Sequence, residues 1–245
     1  MGLYALPSGA GEGPAVWCHG LLPDYHAFRG SYGGYAFLLH DRRPNVAASN
    51  LAPNLLAGLN MAYGVPIAAA DVFDAILCLL SATSYTLRFA EDLEDVFPHI
   101  PFPASHEVFQ NAVRVGQQIR EIETFARAPQ IRAPGFVRLT DEPRGVLARV
   151  EFADGAISLC EDGSGRITGL PQEIWEFAVS GYRLVTRWLE ARVGLPADLA
   201  LVTEFRDICG RVAELIELFG QADIVLQQTL LESLTREALG LAPAE

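Results

Sequence analysis

The sequence predicts an α+β protein whose β-rich and helical stretches are segregated along the chain rather than alternated. Three observations carry this. The first 70 residues are rich in Gly, Pro, Asn and aromatic residues and show no helical period before about Pro53–Met61. Strong three-to-four periodicity then sets in. Later an Asp154-Gly155 pair between two apolar stretches marks a β-hairpin, after which helical patterns return. The chain has 245 residues, 50% of them hydrophobic, enough to bury a sizeable core in one large domain or two small ones. Four regions are expected within one unit: a loop-rich β region at 1–70, a helical region at 71–128, a β-hairpin region at 129–170 and a C-terminal helical bundle at 171–245.

In the first region, Ala15–His19 and Tyr35–His40 read as short strands between turns such as Gly33-Gly34. Gly9–Gly13 reads as a flexible loop. Val72, Phe73, Ile76, Leu77, Leu79 and Leu80 then recur at helical spacing, and Tyr85–Leu93 continues as a second short helix. Pro98, Pro101 and Pro103 forbid helix and predict an extended segment over Phe97–Pro103. Ser105 can cap the next helix, whose apolar face is Val108, Phe109, Ala112, Val113, Gly116, Ile119, Ile122 and Phe125. Val146, Ala148, Val150 and Phe152 alternate with Leu147, Arg149 and Glu151 up to Asp154-Gly155; Ala156–Leu159 forms the return strand, and Gly163-Ser164-Gly165 ends that sheet. Pro171 suits the first turn of a long helix over 172–193, with Trp175, Tyr182 and Trp188 on its core face. Two amphipathic helices follow, near 198–220 and 221–239.

Catalytic signatures are missing. No GxGxxG opens a βαβ unit, and a chain without lysine cannot form the GxxxxGK[ST] phosphate cradle. Gly-x-Ser-x-Gly does not occur. His19, His26, His40, His99 and His106 form no HxH, HxxxH or HExxH, and Cys18, Cys78, Cys160 and Cys209 form no CxxC pair, so no metal site is predicted. An Asn/Asp-Pro-Pro-aromatic loop, needed to hold a flipped adenine, is not present either. No cofactor is implied, and the chain is not expected to be an enzyme by itself. No apolar run reaches membrane-spanning length, and the expectation is a soluble cytoplasmic protein without membrane contact.

The charge is uneven. The net charge is −12, which argues against non-specific coating of a polyanion. Residues 1–70 nevertheless balance Glu12, Asp24 and Asp41 with Arg29, Arg42 and Arg43. Between 127 and 149, Arg127, Arg132, Arg138, Arg144 and Arg149 face only Asp141 and Glu142. These two stretches are the candidates for contact with a polyanion; surface ion pairs are the alternative.

Four ordered blocks resemble the C-terminal region of type ISP restriction–modification enzymes. They are Phe28–Gly34 with Leu39, Asn45 and Asn50; Ala70–Leu77 with Ser84-Tyr85 and Arg88-Phe89; Val96–Pro103 with Val108-Phe109 and Gly116; and Gly169–Pro171 with Ile174–Phe177, Val179–Tyr182, Trp188-Leu189 and Arg192. Together they cover about residues 28–220. His99 departs from the arginine usual in the family between the proline and the isoleucine. The resemblance implies a target-recognition domain that contacts double-stranded DNA and orients it for methyltransferase, nuclease and ATPase modules supplied in cis or in trans. An adenine-modifying enzyme is the implied partner; the other reading is a protein-interaction or DNA-mimicking regulatory subunit.

Arginine can bridge O6 and N7 of guanine, and asparagine can bridge N6 and N7 of adenine. Arg29, Ser31, Tyr32, Arg42, Arg43, Asn45 and Asn50 are therefore the expected base-reading set. Arg183 and Arg187, at i,i+4 spacing on the expected helix, are the expected phosphate contacts, with pairing to Glu176 or Glu190 as the alternative.

Overall fold

The computed structural model describes residues 1–6, 12–21, 23, 34–40, 49–94, 98–131 and 135–241. Strand β1 (Gly2–Ala5) lies between β2 (Val16–His19) and β3 (Tyr35–Leu38), antiparallel to both. The two expected strands are β2 and β3. The central strand β1 adds to them; its four residues are too few to display alternation, and all four are buried.

A helical layer follows, made of α1 (Leu55–Tyr63), α2 (Ala69–Ser81), α3 (Thr83–Arg88), a 3-10 turn at Asp92–Glu94 and α4 (His106–Glu123). The Tyr85–Leu93 helix is thus shorter and starts earlier than its pattern suggests. Asp71 Oδ2 accepts the Ala68 N–H at 3.1 Å and closes the first turn of α2. Ser105 caps α4 as expected, its hydroxyl accepting from the Val108 N–H at 3.4 Å. Helices α2 and α4 meet almost backbone to backbone at Gly116, where a Cβ would stand 1.8 Å from the Asp74 carbonyl oxygen. One turn on, Arg120 forks onto Asp74 through Nε at 2.7 Å and Nη2 at 3.0 Å. The proline segment is extended over its described residues and tied down. Tyr85 donates to the His99 carbonyl at 2.7 Å, Tyr63 donates to the Pro103 carbonyl at 2.7 Å, and Pro103 bridges to Ser233.

The middle of the chain builds β4 (Arg138–Leu139), β5 (Gly145–Val146), β6 (Ala156–Ser158) and β7 (Arg166–Thr168). Asp154 (φ 48°) and Gly155 (φ 71°) form the expected two-residue turn, with Ala153 and Ala156 exchanging both backbone hydrogen bonds. Beyond that turn the pairing differs from the simple hairpin. Strand β6 pairs with β7, and β7 pairs with β4, so Gly163-Ser164-Gly165 turns the chain into a third strand instead of ending the sheet. The face also shifts at one end: Val146 is exposed and Leu147 buried, because β5 leaves this sheet to pair with β10 (Pro196–Ala197).

Two expectations for the C-terminal region are corrected. The single helix over 172–193 is broken into α5 (Gln172–Glu176), a hairpin of β8 (Ala178–Val179) and β9 (Tyr182–Arg183), and α6 (Leu184–Glu190). Its turn residues Ser180 (φ 47°) and Gly181 (φ 76°) are both left-handed, which a helix cannot accommodate. The Trp175, Tyr182 and Trp188 side chains are consequently half-buried rather than aligned on one core face. Conversely, the expected helices near 198–220 and 221–239 are one element, α7 (Leu199–Leu231), 33 residues long. Gly220 interrupts the pattern but has no neighbour that would bend the helix. Phe125 is a third correction: it lies past the end of α4 with φ 58°, is 59% exposed, and carries Arg211 over its ring at 4.1 Å. One hydrophobic cluster runs through all four regions, from Leu3 and Phe109 to Ile167 and Phe205.

Glu123 joins the layers. It is buried at the end of α4, and its carboxylate Oε2 accepts the Cys18 N–H on the outer edge of β2 at 2.7 Å. Its Oε1 has no partner among the described residues. Burial pushes this carboxyl well above its ordinary value of 4.5, against the smaller pull of the Cys18 hydrogen bond. A raised value in the fold means that this stabilisation is complete below 4.5 and is lost as pH climbs toward the raised value. Glu123→Gln keeps an acceptor for Cys18 and removes the titration. The variant should gain on the native chain by up to about 1.4 kcal/mol per pH unit between the ordinary and the raised value, and no further above it. Urea unfolding of both proteins at about pH 5 and about pH 8 reads the gain; a pH-independent difference contradicts the assignment.

Candidate nucleic-acid interface

Strand β3 is an outer strand of its sheet, and Tyr35 and Phe37 on it are 51% and 44% exposed. Gly34 precedes it because nothing larger fits: a Cβ there would fall 2.3 Å from Cζ of Tyr4. Most of the expected base-reading set flanks this strand on both sides. Arg29, Ser31 and Tyr32 before it, and Arg42, Arg43 and Asn45 after it, lie outside the described residues. Their attachment points are described. Leu39 N–H donates to the Met1 carbonyl at 3.2 Å, and Asn50 N–H donates to the Leu39 carbonyl at 3.0 Å. Asn50 Nδ2 adds a bond to the Leu38 carbonyl at 3.1 Å. The two ends of segment 41–48 are therefore tied together at the tip of β3. Asn50 is exposed, and this closure uses one of its two amide hydrogens.

The sheet beneath is held from several sides. Leu3, Ala5 and Val16 face Phe73, Ile76 and Leu80 of α2 across an apolar cavity of about 330 Å³ that Pro98 and Ile100 also line. Glu123 covers the open edge of β2, which would otherwise present unpaired amides. The segment just before β2 is clamped by the Ser180-Gly181 turn: Ser180 N–H and hydroxyl donate to the Pro14 carbonyl at 3.0 and 3.1 Å, and Gly181 N–H donates to the Glu12 carbonyl at 2.7 Å. Thr86 donates to the Gly13 carbonyl at 2.9 Å, and a Cβ on Gly13 would sit 1.9 Å from the Ala178 carbonyl. Of the Gly9–Gly13 stretch, the described end is thus a packed contact; residues 7–11 lie outside the described ones. His19, on β2, is held by the Leu21 carbonyl at Nδ1, and burial pulls its imidazole below the ordinary value.

The other expected cations are dispersed. Arg183 sits on β9 rather than on a helix, so it shares no helical face with Arg187. Arg187 is 59% exposed and pairs with Glu190 at 2.8 Å, the ion-pair alternative raised for it. From the second stretch, Arg127 bridges Glu121 at 3.2 Å and Glu214 at 2.5 Å, joining the end of α4 to α7. Arg138, Arg144 and Arg149 are exposed, and Arg132 lies outside the described residues. Arg166 joins them on β7, a cation that sequence reasoning passes over although the polar-apolar-polar run Arg166-Ile167-Thr168 between two glycines is a short strand signal. One concavity among the described residues does not suit a polyanion. A groove of about 710 Å³ between α3, α5 and α7 is lined by Glu12, Glu173, Glu176 and Asp223. Among the described residues no group of acids, histidines and cysteines is placed to hold a metal, and no helix is long and apolar enough to cross a membrane. All four cysteines are buried free thiols.

A family model described as the Type ISP C-terminal specificity domain matches residues 1–218. No curated protein sequence matches the chain. Solved structures share its fold, among them the following three. A nuclease-deletion mutant of the Type ISP restriction–modification enzyme LlaGI, in complex with a DNA substrate mimic, aligns with TM-score 0.58 at 14% identity over 93% of this chain and 18% of its own. The ATP-dependent Type ISP enzyme LlaBIII bound to DNA aligns with TM-score 0.60 at 15% identity over 93% of this chain and 16% of its own. A cryo-electron-microscopy DrdV–DNA complex aligns with TM-score 0.61 at 18% identity, over 100% of this chain and 25% of its own. The chain thus spans a quarter or less of the length of each.

Asn50→Ala tests the closure at the tip of β3. Losing one hydrogen bond of this kind costs about 1 kcal/mol. The Leu39 and Asn50 amides should exchange faster with deuterium while those of α4 stay unchanged, as hydrogen-exchange mass spectrometry would report. Equal protection at those two amides would show that the side chain closes nothing.

Proposed function

Because this chain belongs to the Type ISP C-terminal specificity domain family, we propose that it is the part of a restriction–modification system that reads the target sequence in duplex DNA. The family match over residues 1–218 carries this reading. The DNA-bound state of the three structures that share the fold supports it. Arg29, Ser31, Tyr32, Arg42, Arg43 and Asn45 make the base contacts from the two segments that flank β3; Asn50 holds the second segment in place and offers its remaining acceptor. Recognition elements on segments mounted on a braced scaffold are a common arrangement, because precision comes from the scaffold and variety from the segments.

Arg183 and, when released from Glu190, Arg187 add contacts to the sugar–phosphate backbone, which position the duplex without reading it. Methylation, cleavage and ATP hydrolysis belong to modules outside this chain, joined to it in cis or in trans. The acidic groove takes no part in binding the duplex, and its four carboxylates repel one that is misplaced.

Selection from a pool of random duplexes, by the chain together with its methyltransferase module, tests this function. The native protein should enrich one short motif. Arg42→Ala with Arg43→Ala should erase the preference at one or two positions, since each bidentate arginine–guanine pair is worth about 1–3 kcal/mol of discrimination. Enrichment of the same motif by the double variant would remove these two residues from the reading set. Absence of any enriched motif with the native protein would overturn the reading.

A further inference from the structure

The sheet built from β4, β7 and β6 has two unlike faces. Leu139, Ile167 and Ile157 align across it and point inward, with Ile167 and Ile157 at 0% and 1% exposure. On the other face the register sets Arg138 opposite Thr168, with Ala156 beyond, and Ser158 opposite Arg166. Thr140 extends β4 beside Arg166, donating its N–H to the Arg166 carbonyl at 2.8 Å. These positions of the outer face therefore carry two guanidinium groups and three hydroxyl side chains, and no carboxylate.

Both arginines are exposed, and neither forms an ion pair among the described residues. That separates them from Arg120, Arg127, Arg187, Arg192 and Arg211, each of which is held by a carboxylate. Asp141, at the end of β4, is engaged within the protein: its two oxygens accept the Gly165 and Arg166 N–H groups, each at 3.0 Å, and Oδ1 stands 3.3 Å from the Thr140 hydroxyl, which donates to the Arg166 carbonyl at 3.0 Å. Asp162 is likewise turned to Ser164. In a chain of net charge −12, two exposed cations that form no ion pair among the described residues are charge-complementary to a polyanion.

The face is also rigidly mounted. Arg206 of α7 donates from Nε to the Val137 carbonyl at 3.1 Å, just before β4. At the end of β7, Gly169 lies so close to Phe136 that a Cβ would stand 2.5 Å from its carbonyl oxygen. Leu170 N–H closes the corner on the Gly155 carbonyl at 3.0 Å.

We propose that the open face of β4, β7 and β6 is a phosphate-contact surface, on which Arg138 and Arg166 grip the backbone of the duplex and Ser158 and Thr168 donate hydroxyl hydrogen bonds. The inference rests on the DNA reading above and extends it to residues that carry no sequence information. Each phosphate neutralised releases condensed counterions, so each contact adds roughly 0.9 to the slope of log K against log salt concentration.

The experiment measures binding of a mixed-sequence duplex by the chain with its methyltransferase module across a salt titration. Arg138→Ala with Arg166→Ala should weaken binding to every sequence by a similar factor, lower the salt slope by about two, and leave the enriched motif unchanged. Arg138→Lys with Arg166→Lys should restore most of the slope. Arg114→Ala, an exposed arginine on α4, controls for net charge and should leave the slope as it was. An unchanged slope in the alanine double variant overturns the proposal while the native protein's motif preserves the DNA reading. Loss of methyltransferase association with an unchanged slope would likewise overturn it, assigning the face to a protein contact. Failure of the native protein to enrich a motif overturns the underlying reading instead.

Discussion

Helices α2 and α4 touch at Gly116, and the buried groups around that contact set the position of everything else. Backbones this close leave no room for a side chain, so the crossing has one available geometry. The Asp74–Arg120 fork fixes the relative slide of the two helices, since a bidentate pair tolerates little displacement. From the same helix Glu123 reaches the Cys18 N–H and locates the sheet. At the other end, Arg211 donates to the Ile122 carbonyl at the C-terminus of α4 and to the Arg127 carbonyl, and Arg127 in turn reaches Glu214 on α7. A chain of specific polar bonds thus runs from the N-terminal sheet through α4 into α7. Apolar burial supplies most of the stability, but these directional groups decide which packing is adopted.

The distribution of arginine partners follows from that design. Where an arginine is partly buried, it pairs with an acid or a backbone carbonyl and serves the framework. Asp223 shows the acids in a similar role: from α7 it accepts the Ser84 N–H at 2.8 Å and the Thr83 and Ser84 hydroxyls, capping α3, whose own N-cap residue is alanine. Charges committed in this way are invisible to a distant duplex. What remains to steer one is the exposed arginines that form no ion pair among the described residues, set against a net charge of −12 and an acidic groove.

Much of the fold can be read from the residues, and the failures have identifiable causes. The α2 and α4 periodicities, the Ser105 cap, the Asp154-Gly155 turn and the extended proline segment are local signals that tertiary packing reinforces. The break at Ser180-Gly181 is masked because Trp175, Tyr182, Val185 and Trp188 fit a 3.6-residue period by coincidence; the small dipeptide between Val179 and Tyr182 is the better guide. Gly220 misleads in the opposite direction, since an isolated glycine costs a helix only about 1 kcal/mol and α7 has long-range contacts to absorb it. The partner of β6 is a strand of three residues, and so short a run between glycines signals a strand without saying which neighbour it pairs with. For the site, the early segments around β3 stand out by composition alone, whereas Arg166 acquires meaning only when β7 sets it on the same face as Arg138. A cation's neighbours across a sheet are not its neighbours in sequence.

An acidic domain that binds DNA resolves an apparent conflict. Non-specific affinity grows with the number of phosphates neutralised, and every genome offers a vast excess of wrong sites. A strongly basic domain would be titrated by them. With a net charge of −12, the chain as a whole repels a polyanion, and attraction comes from its exposed guanidinium groups. In the proposed mode of binding, those groups hold phosphates while the segments that flank β3 read the bases. Affinity sufficient for function then requires either the correct bases or additional basic surface from attached modules. Both conditions suit the role proposed for this chain, in which the modules joined to it supply the rest of the affinity.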